Sequence, residues 1–218
     1  MPQPRWRRRK TARPAEIIDA AFDVFAEAGY AGARLEEIAR RAGVSKAALY
    51  LYFETKEDLF RAVVKTAIAP GFERVQANAA AFDGPLAQLI PVVLAAMAAM
   101  IEQSRFPAMA KMVIGESRNF PDLARIWHDD LLAPAIATFA ALIARAQTRG
   151  EIRSGDPRLF VFSLIGPMLA TLLYRSVFAE ISNDPPVLSE IAAQHAGVFL
   201  SGALQEQQPG CTKRKTAM

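Results

Sequence analysis

A glycine near the N-terminus separates two short segments whose apolar spacing predicts helices. Residues 35–42, LEEIARRA, repeat apolar side chains at the three- and four-residue steps of an α-helix. Gly43 suits the left-handed position that ends a helix. Ser45 suits the N-cap of the next helix, because its hydroxyl can accept a hydrogen bond from a backbone N–H. Two helices joined by so tight a turn predict a helix-turn-helix, whose second helix enters the major groove of DNA.

The outer face of the second helix has the composition expected of a DNA contact. Its inner face is apolar, since Leu49 and Phe53 lie four residues apart. A solvated helix usually carries glutamate and lysine on its outer face. A helix in a DNA groove instead needs donors for phosphates, one long donor for base edges and little bulk near the backbone. With Ser45 at its start, the predicted contact set on this helix comprises Ser45, Lys46, Ala47, Tyr50 and Tyr52.

The whole motif closely resembles the TetR/AcrR family of bacterial repressors. The resemblance is carried by IARRAGVS at 38–45, LYLYF at 49–53 and KEDL at 56–59. It implies an all-α fold with an N-terminal three-helix helix-turn-helix DNA-binding domain at residues 14–60. A helical effector-binding and dimerisation domain is expected at residues 61–204.

The resemblance also implies roles for individual side chains. Lys46 is expected to reach base edges, while Tyr50 and Tyr52 donate to phosphates or pack on sugars; Lys56 belongs to the same predicted contact set. Family members usually carry threonine or serine at the two positions before the second helix, where this chain has Ala33 and Arg34. The capping hydroxyl is therefore lost at a typical cost of about 1 kcal/mol. Arg34 is predicted to reach a phosphate instead, although a cation at a helix N-terminus opposes the helix dipole.

The charge of the chain is concentrated at its two ends. Residues 1–13 hold six cations and no acid, and residues 213–215 add three more. With these nine set aside, 17 of the 26 cations remain against 22 acids, so the middle of the chain is acidic. A basic arm on an acidic body indicates a local contact with a polyanion. Arg7, Arg8 and Arg9 are predicted to follow phosphates or the minor groove. The alternative is a disordered tail that aids solubility.

Composition argues against several other classes of protein. The longest apolar run, Leu89–Ile101, is too short to cross a bilayer and contains Pro91. The basic N-terminus lacks the apolar stretch of a signal peptide. The single cysteine, Cys211, excludes a disulfide framework or a cysteine metal site within one chain. No glycine-rich phosphate loop follows a strand. We therefore expect a cytoplasmic protein that is not an enzyme and has no cofactor, metal or membrane partner.

Beyond residue 60 the pattern predicts helices only. A helix over residues 86–103 is apolar nearly all round, which indicates burial, and a long helix follows over residues 121–147. Methionine and aromatic clusters line adaptable pockets, but they also fill irregular cores. We place a pocket between the helix that opens at Thr55 and these two helices. The predicted ligand-binding residues are Met97, Met100, Phe106, Met109, Met112, Trp127, His128 and Phe139. The alternative for His128 is a half-buried, hydrogen-bonded side chain.

The last two predicted helices, at residues 158–180 and 187–204, are strongly apolar. The first is expected to be interrupted at Gly166-Pro167. The resemblance implies that both helices pair with their symmetry mates in a four-helix dimer bundle. The predicted interface residues are Phe162, Leu169, Leu173, Ile191, His195 and Phe199. Residues 205–218 lack apolar periodicity and are predicted to be a disordered tail.

These features together predict a ligand-responsive transcriptional regulator, and by resemblance a repressor. It would bind palindromic double-stranded DNA as a homodimer and leave it when a small apolar or amphipathic effector binds. The alternative is a ligand-independent helix-turn-helix protein whose C-terminal domain only dimerises. The apolar clusters are compatible with both.

Overall fold

The computed structural model describes residues 13–204. The predicted basic arm with Arg7, Arg8 and Arg9, and the predicted tail at residues 205–218, lie outside the described residues. Within the described part the chain forms helices and no strand, apart from one isolated bridge between Ile152 and Leu204. The expected all-α fold with an N-terminal helix-turn-helix is confirmed.

Three helices form the N-terminal unit, which we call the head: α1 (Arg13–Gly32), α2 (Leu35–Arg41) and α3 (Lys46–Tyr50). Their apolar faces meet in a small core to which α1 contributes Ile17, Ala21 and Phe25. The Phe25 ring stacks on Tyr30 at 5.6 Å between centroids. Phe60 packs edge-on to both rings, at 5.8 and 6.0 Å. These aromatic contacts join the head to the helix that follows it.

The predicted turn and cap residues of the head have the expected conformations. Gly29 (φ 70°) interrupts α1 and Gly43 (φ 65°) ends α2, both in the left-handed region that favours glycine. The Ser45 hydroxyl accepts a hydrogen bond from the Ala48 N–H at 3.1 Å, as an N-cap should. Arg34 stands at the N-cap of α2 without a side-chain capping bond, so the loss expected from the sequence is confirmed.

One continuous helical rod connects the head to the rest of the chain. It comprises α4 (Lys56–Val63), a π-helical turn (Val64–Ile68) and α5 (Ala69–Ala80). Thr55 and Asp58 form a complete capping box at its start. The π-helical turn stands just before Pro70. Pro70 has no N–H to donate to the carbonyl four residues before it, and a shifted hydrogen-bond register upstream accommodates that gap.

The remaining helices form what we call the body: α6 (Leu86–Glu102), α7 (Phe106–Glu116), α8 (Pro121–Trp127), α9 (Ala133–Thr148), α10 (Pro157–Phe178) and α11 (Leu188–Ala203). α6 packs against α5 and α11, α10 packs between α9 and α11, and α7 lies against α1 of the head. A second π-helical turn, His128–Leu132, joins α8 to α9 just before Pro134. The two π-helical segments are neighbours, since Asp130 pairs with Arg61 at 3.2 Å and with Lys65 at 3.1 Å.

Two expectations about the body helices are wrong. α6 is buried on one side only; Val92, Ala95, Ala96 and Ala99 are exposed, because the alanines there leave little apolar surface to hide. α10 runs without interruption through Pro167. A proline leaves the carbonyl four residues earlier without its helical donor. Here that carbonyl, on Ser163, accepts a hydrogen bond from His195 Nε2 of α11 at 3.0 Å.

Two stretches, Pro121–Thr148 and Pro157–Phe178, are long and apolar enough to cross a bilayer by length and composition. Both pack against the core along one side, and in α10 this side carries Val161, Leu164, Met168 and Leu172. The opposite side of α10 is exposed and is described below.

Candidate nucleic-acid interface and ligand cleft

The outer face of α3 presents the side chains that the sequence predicted. Lys46, Ala47, Tyr50 and Tyr52 are exposed, whereas Leu49 is fully buried beneath them. The Lys46 ammonium pairs with Glu36 of α2 and lies 5.8 Å from the Tyr50 ring centroid. This hydrogen bond to Glu36 raises the pKa of Lys46, so the side chain remains a cation. The face therefore offers one cation and two phenol hydroxyls at the surface of the head.

Leu51 was not singled out from the sequence, yet it is the most exposed large apolar side chain of the head, at 83%. It lies between Tyr50 and Tyr52, just beyond the end of α3. An exposed apolar side chain on a DNA-reading face suits contact with thymine methyl groups in the major groove. The only sequence signal for it was an apolar residue that the helical period left off the buried face.

Lys56 occupies a different environment from the one predicted. Its ammonium donates to the Tyr30 carbonyl at 2.6 Å and to the Ala33 carbonyl at 3.0 Å. It also lies 4.4 Å from the Tyr30 ring centroid. Burial lowers its pKa. With two donors used inside the protein, Lys56 holds the α1–α2 connection onto α4, and we remove it from the candidate DNA contacts. Arg34, by contrast, is exposed at the start of α2.

Glu116, at the end of α7, joins the body to the head. Its two carboxylate oxygens accept hydrogen bonds from the backbone N–H groups of Tyr30, at 2.9 Å, and Ala31, at 2.7 Å. Nearby, Phe120 packs edge-on to the Tyr30 ring at 5.0 Å. Burial raises the pKa of the Tyr30 hydroxyl, which donates to Glu57 at 2.8 Å. Tyr30 is thus held by the body on one side and by α4 on the other.

A cleft of about 620 Å³ lies where the head, α5 and the α6–α7 turn meet. The head contributes Phe22 to its wall, and the body contributes Met100 and Phe106. Such a volume suits a small organic ligand. Its charged lining residues, within the described part of the chain, are Arg74 and Arg105.

The predicted ligand-binding residues divide into four groups. Met100 and Phe106 line this cleft. Met112 lines a different opening, of about 530 Å³, beside Gly29. The side chains packed in the core, and not among the residues that line the cleft, are Met97, Met109, Trp127 and Phe139.

His128 belongs to the fourth group, and its predicted position is wrong. Its ring is exposed and lies 2.7 Å from a carboxylate oxygen of Asp129. The ring therefore faces solvent, neither lining a pocket nor half-buried. The π-helical turn that begins at His128 shifts the helical register here, so the simple 3.6-residue period does not give the direction of this side chain.

The predicted pocket is therefore displaced. It was expected between the rod, α6 and the α8–α9 helix, whereas the observed cleft lies between the rod, the end of α6 and α1. The predicted residues at the expected position fill space as core side chains. Arg74, Arg105 and Phe22 were missed because their positions on polar or head-forming faces gave no sign that they would meet.

Solvent-exposed apolar side chains form a stripe on the outer face of α10 and α11. Phe162 is 56% and Leu169 46% exposed, while Leu173, Ile191 and His195 are partly buried. The prediction that Phe199 lies at the interface is wrong, because its side chain is buried against Phe160, with ring centroids 6.5 Å apart. The stripe also includes Leu159, Val177 and Val198. They were not among the predicted interface residues, because the helical period does not say how exposed a side chain is.

Across residues 13–204, no group of three or more histidine, cysteine, aspartate or glutamate side chains is arranged to hold a metal ion.

Similarity to known proteins covers most of the chain. Residues 17–63 match a family model described as bacterial regulatory proteins, tetR family, and residues 83–184 match the tetracyclin repressor-like C-terminal domain. The HTH-type transcriptional repressor BepR of Brucella suis biovar 1 (strain 1330) is 33% identical over 159 residues. This match spans 67% of this chain and 74% of BepR.

Two solved structures have the same fold. A TetR-family transcriptional regulator from Mesorhizobium loti MAFF303099 superimposes with a TM-score of 0.74 at 25% identity, covering 90% of this chain and 99% of its own. FadR from Bacillus subtilis, solved in complex with stearoyl-CoA, gives a TM-score of 0.71 at 21% identity, covering 86% and 98%. The FadR likeness is one of fold.

Proposed function

Because the chain belongs to the TetR family of bacterial regulatory proteins, we propose that it is a repressor that binds a palindromic operator as a homodimer. A small apolar or amphipathic effector then releases it from DNA. The proposal keeps residues 14–60 as the DNA-binding domain and residues 61–204 as the effector-binding and dimerisation domain. A protein that acts on chromosomal DNA works in the cytoplasm of a bacterium.

The observation that carries the proposal is the exposed face of α3. A helix capped by Ser45 lifts Lys46, Tyr50 and Tyr52 away from the head core. Lysine donates to base edges and phosphates, and tyrosine hydroxyls donate to phosphates. We propose that Arg34 adds a phosphate contact beside this helix, and that the cations of the basic arm, Arg7, Arg8 and Arg9 among them, add others.

Dimerisation is supported by the exposed stripe on α10 and α11. Leaving side chains such as Phe162 and Leu169 in water costs roughly 25 cal/mol for each Å² of apolar surface. A second copy covers the same stripe with an identical one, as a two-fold symmetric interface requires. The proposed dimer carries two α3 helices, one for each half-site of a palindrome.

Effector release is supported by the cleft at the junction of head and body. A ligand there contacts Phe22 of the head together with Met100 and Phe106 of the body, so its affinity depends on how the two are arranged. The complex of FadR with stearoyl-CoA gives a relative of the same fold that holds an amphipathic ligand. In the competing proposal, the body only dimerises and the cleft holds no effector.

The operator can be found by selecting genomic DNA fragments on the purified full chain. We expect the recovered sites to share a pseudo-palindrome whose half-sites lie about one DNA turn (~34–36 Å), or a multiple, apart. Fluorescence anisotropy then compares this duplex with one in which both half-sites are scrambled. Equal affinity for the two duplexes, at a salt concentration that suppresses non-specific binding, would refute the proposal.

Genes next to the recovered sites suggest candidate effectors, which are then added to the preformed complex. Release of the labelled operator by one of them supports the ligand-responsive form of the proposal. Retention of the operator with every candidate, in a protein that is dimeric by sedimentation, favours the competing ligand-independent form.

A further inference from the structure

We propose that the cleft at the head–body junction binds an amphipathic anion, whose carboxylate or phosphate group takes Arg105 away from Asp23. The inference rests on the proposed function and names its effector class and effector site. Arg74 supplies the second cationic contact.

The lining of the cleft combines an apolar floor with cationic and neutral polar groups at its rim. The larger apolar side chains are Phe22, Ile68, Val75, Met100 and Phe106. Arg74 comes from α5 and Arg105 from the α6–α7 turn, so two arginines from different elements line one space. Guanidinium groups bind carboxylates and phosphates through paired N–H donors. An acyl chain or apolar ring on the floor, with its anionic group at the arginines, satisfies both parts of this lining.

A cationic ligand fits the same site poorly. The carboxylates nearby, on Asp19 and Asp23, lie on α1 at the edge of the cleft, and Asp23 already pairs with Arg105. The aromatic face that would attract a cation is also taken. The Arg105 guanidinium lies over the Phe22 ring, 5.1 Å from its centroid.

A ligand can replace Asp23 as the partner of Arg105 at little cost. The pair between Asp23 and Arg105 joins the head to the body, yet the Arg105 side chain is 60% and the Asp23 side chain 40% exposed. Ion pairs this open to water contribute little to stability. A ligand that also buries an apolar chain on the floor of the cleft has a source of affinity that Asp23 lacks.

Exchange at Arg105 also gives the anion a way to affect DNA binding. Once it holds Arg105, the ligand faces the freed Asp23 carboxylate, and the two like charges repel. Asp23 lies on α1, which packs against α2 and so belongs to the unit that carries α3. The conformer with α1 displaced from the α6–α7 turn therefore binds the anion more tightly. By linkage, operator DNA and the anion weaken each other's binding by the same factor.

The first measurement is an isothermal titration of the full chain with four probes that share one alkyl chain, all below their micelle concentrations. Decanoate and decyl phosphate carry the two candidate anions, decan-1-ol is neutral and decyltrimethylammonium is cationic. We expect at least one anion to bind about tenfold or more tightly than the neutral and cationic probes, as charge-assisted hydrogen bonds require. The stronger of the two anions identifies the headgroup. Equal affinity for decan-1-ol overturns the anionic assignment.

The second measurement uses four variants with the preferred anion. Arg105→Gln and Arg74→Gln should each weaken it by about tenfold. Asp23→Asn, which removes the competitor, should tighten it by roughly threefold. The control Arg125→Gln removes an exposed arginine paired with Asp122 on α8, and should stay within about twofold of the wild type. Unchanged binding in both Arg74→Gln and Arg105→Gln, or weaker binding in Asp23→Asn, overturns the site.

The third measurement separates this inference from the proposed function. Operator affinity of the same preparations is determined by anisotropy with and without the anion. We expect the anion to weaken operator binding by the wild type and to have at least tenfold less effect on Arg105→Gln. Specific operator binding that no anionic probe alters overturns the effector site and leaves the proposed function standing. Anion binding by a chain without sequence-specific DNA binding overturns the proposed function, and the effector role with it.

Discussion

Lys46 pairs with Glu36 in the free protein, so the DNA contact proposed for this lysine competes with a carboxylate. Both side chains are more than half exposed, so the pair is screened by water and contributes little free energy. A phosphate or a base edge can therefore replace Glu36 at small cost. In the free protein, the pair with Glu36 of α2 holds the Lys46 side chain at the surface of the head.

We predict that Lys46→Ala costs roughly 1–3 kcal/mol on the true operator and relaxes sequence preference, because a base-edge donor is lost. Tyr50→Phe should weaken binding to all sequences by a similar factor, because it loses only a phosphate donor. Arg145→Ala, which removes an exposed cation from α9, serves as the charge-matched control. Wild-type affinity of both head variants in anisotropy titrations at fixed salt would remove α3 from the DNA interface.

Glu116 of the body accepts two hydrogen bonds from the backbone of the head. One carboxylate satisfies two N–H groups that follow the left-handed Gly29, so no side chain of the head is needed to cap this turn. Glutamine has only one acceptor oxygen and would place an amide N–H₂ against a backbone donor.

We therefore predict that Glu116→Gln loses about 1–2 kcal/mol of unfolding free energy and that Glu116→Ala loses at least as much. Hydrogen exchange at the amides of Tyr30 and Ala31 should accelerate in both variants. Glu73→Ala, an exposed acid of α5, should change neither quantity. Unaltered exchange at these two amides in Glu116→Ala would mean that the carboxylate does not hold the turn.

At the scale of helices, proline decides where the regular hydrogen-bond pattern fails. Pro70 and Pro134 each follow a π-helical turn, and Asp130 of the second turn pairs with Lys65 of the first and with Arg61 of α4. At Pro167 no π-helical turn forms; the carbonyl that this proline leaves free in α10 accepts a hydrogen bond from His195 of α11. The missing backbone hydrogen bond is thus replaced by one between two helices.

A double-mutant cycle tests the hydrogen bond between His195 and the Ser163 carbonyl. His195→Ala should cost about 0.5–1.5 kcal/mol in urea unfolding at fixed protein concentration, because the Ser163 carbonyl loses its donor. In a Pro167→Ala background the restored N–H can serve that carbonyl, so the cost of His195→Ala should fall by at least half. Equal costs in the two backgrounds would assign the effect of His195 to packing against Phe199 instead.

At the scale of the whole molecule, the apolar stripe on α10 and α11 is a surface that the described part of a single chain leaves exposed to water. Along α10 its side chains are three, seven, four and four residues apart, which keeps them on one helical face, from Leu159 through Phe162, Leu169 and Leu173 to Val177. α10 is apolar on its inner side as well, which accounts for its high mean hydropathy. A two-fold partner is the occupant we propose for the stripe.

We predict that Phe162→Lys shifts the protein from dimer to monomer in sedimentation, because each dimer would bury two unpaired charges near its axis. Operator affinity should fall with it, since a monomer engages only one half-site. Ile114→Lys, at an exposed apolar position of α7 that is not part of the stripe, is the matched control and should remain dimeric. A dimeric Phe162→Lys protein would place the interface elsewhere.

What the sequence determined by itself is local. Gly43 and Ser45 set helix ends through atoms within four residues of one another, and both behave as predicted. The buried face of α3 follows equally well, since the 3.6-residue period fixes which side chains share a face. For the same reason the outer face of α3, on which the proposed DNA contacts rest, could be read from the sequence.

Only the tertiary structure decided which distant residues meet. Arg105 reaches Asp23 from 82 positions away along the chain, and the cleft beside them depends on how α1 packs against the α6–α7 turn. Lys56 finds two carbonyls inside the protein, and Phe199 finds a place in the core. Sequence period gives the direction of a side chain from its own helix. It does not say which helix stands opposite, because that is set by the packing of the whole core.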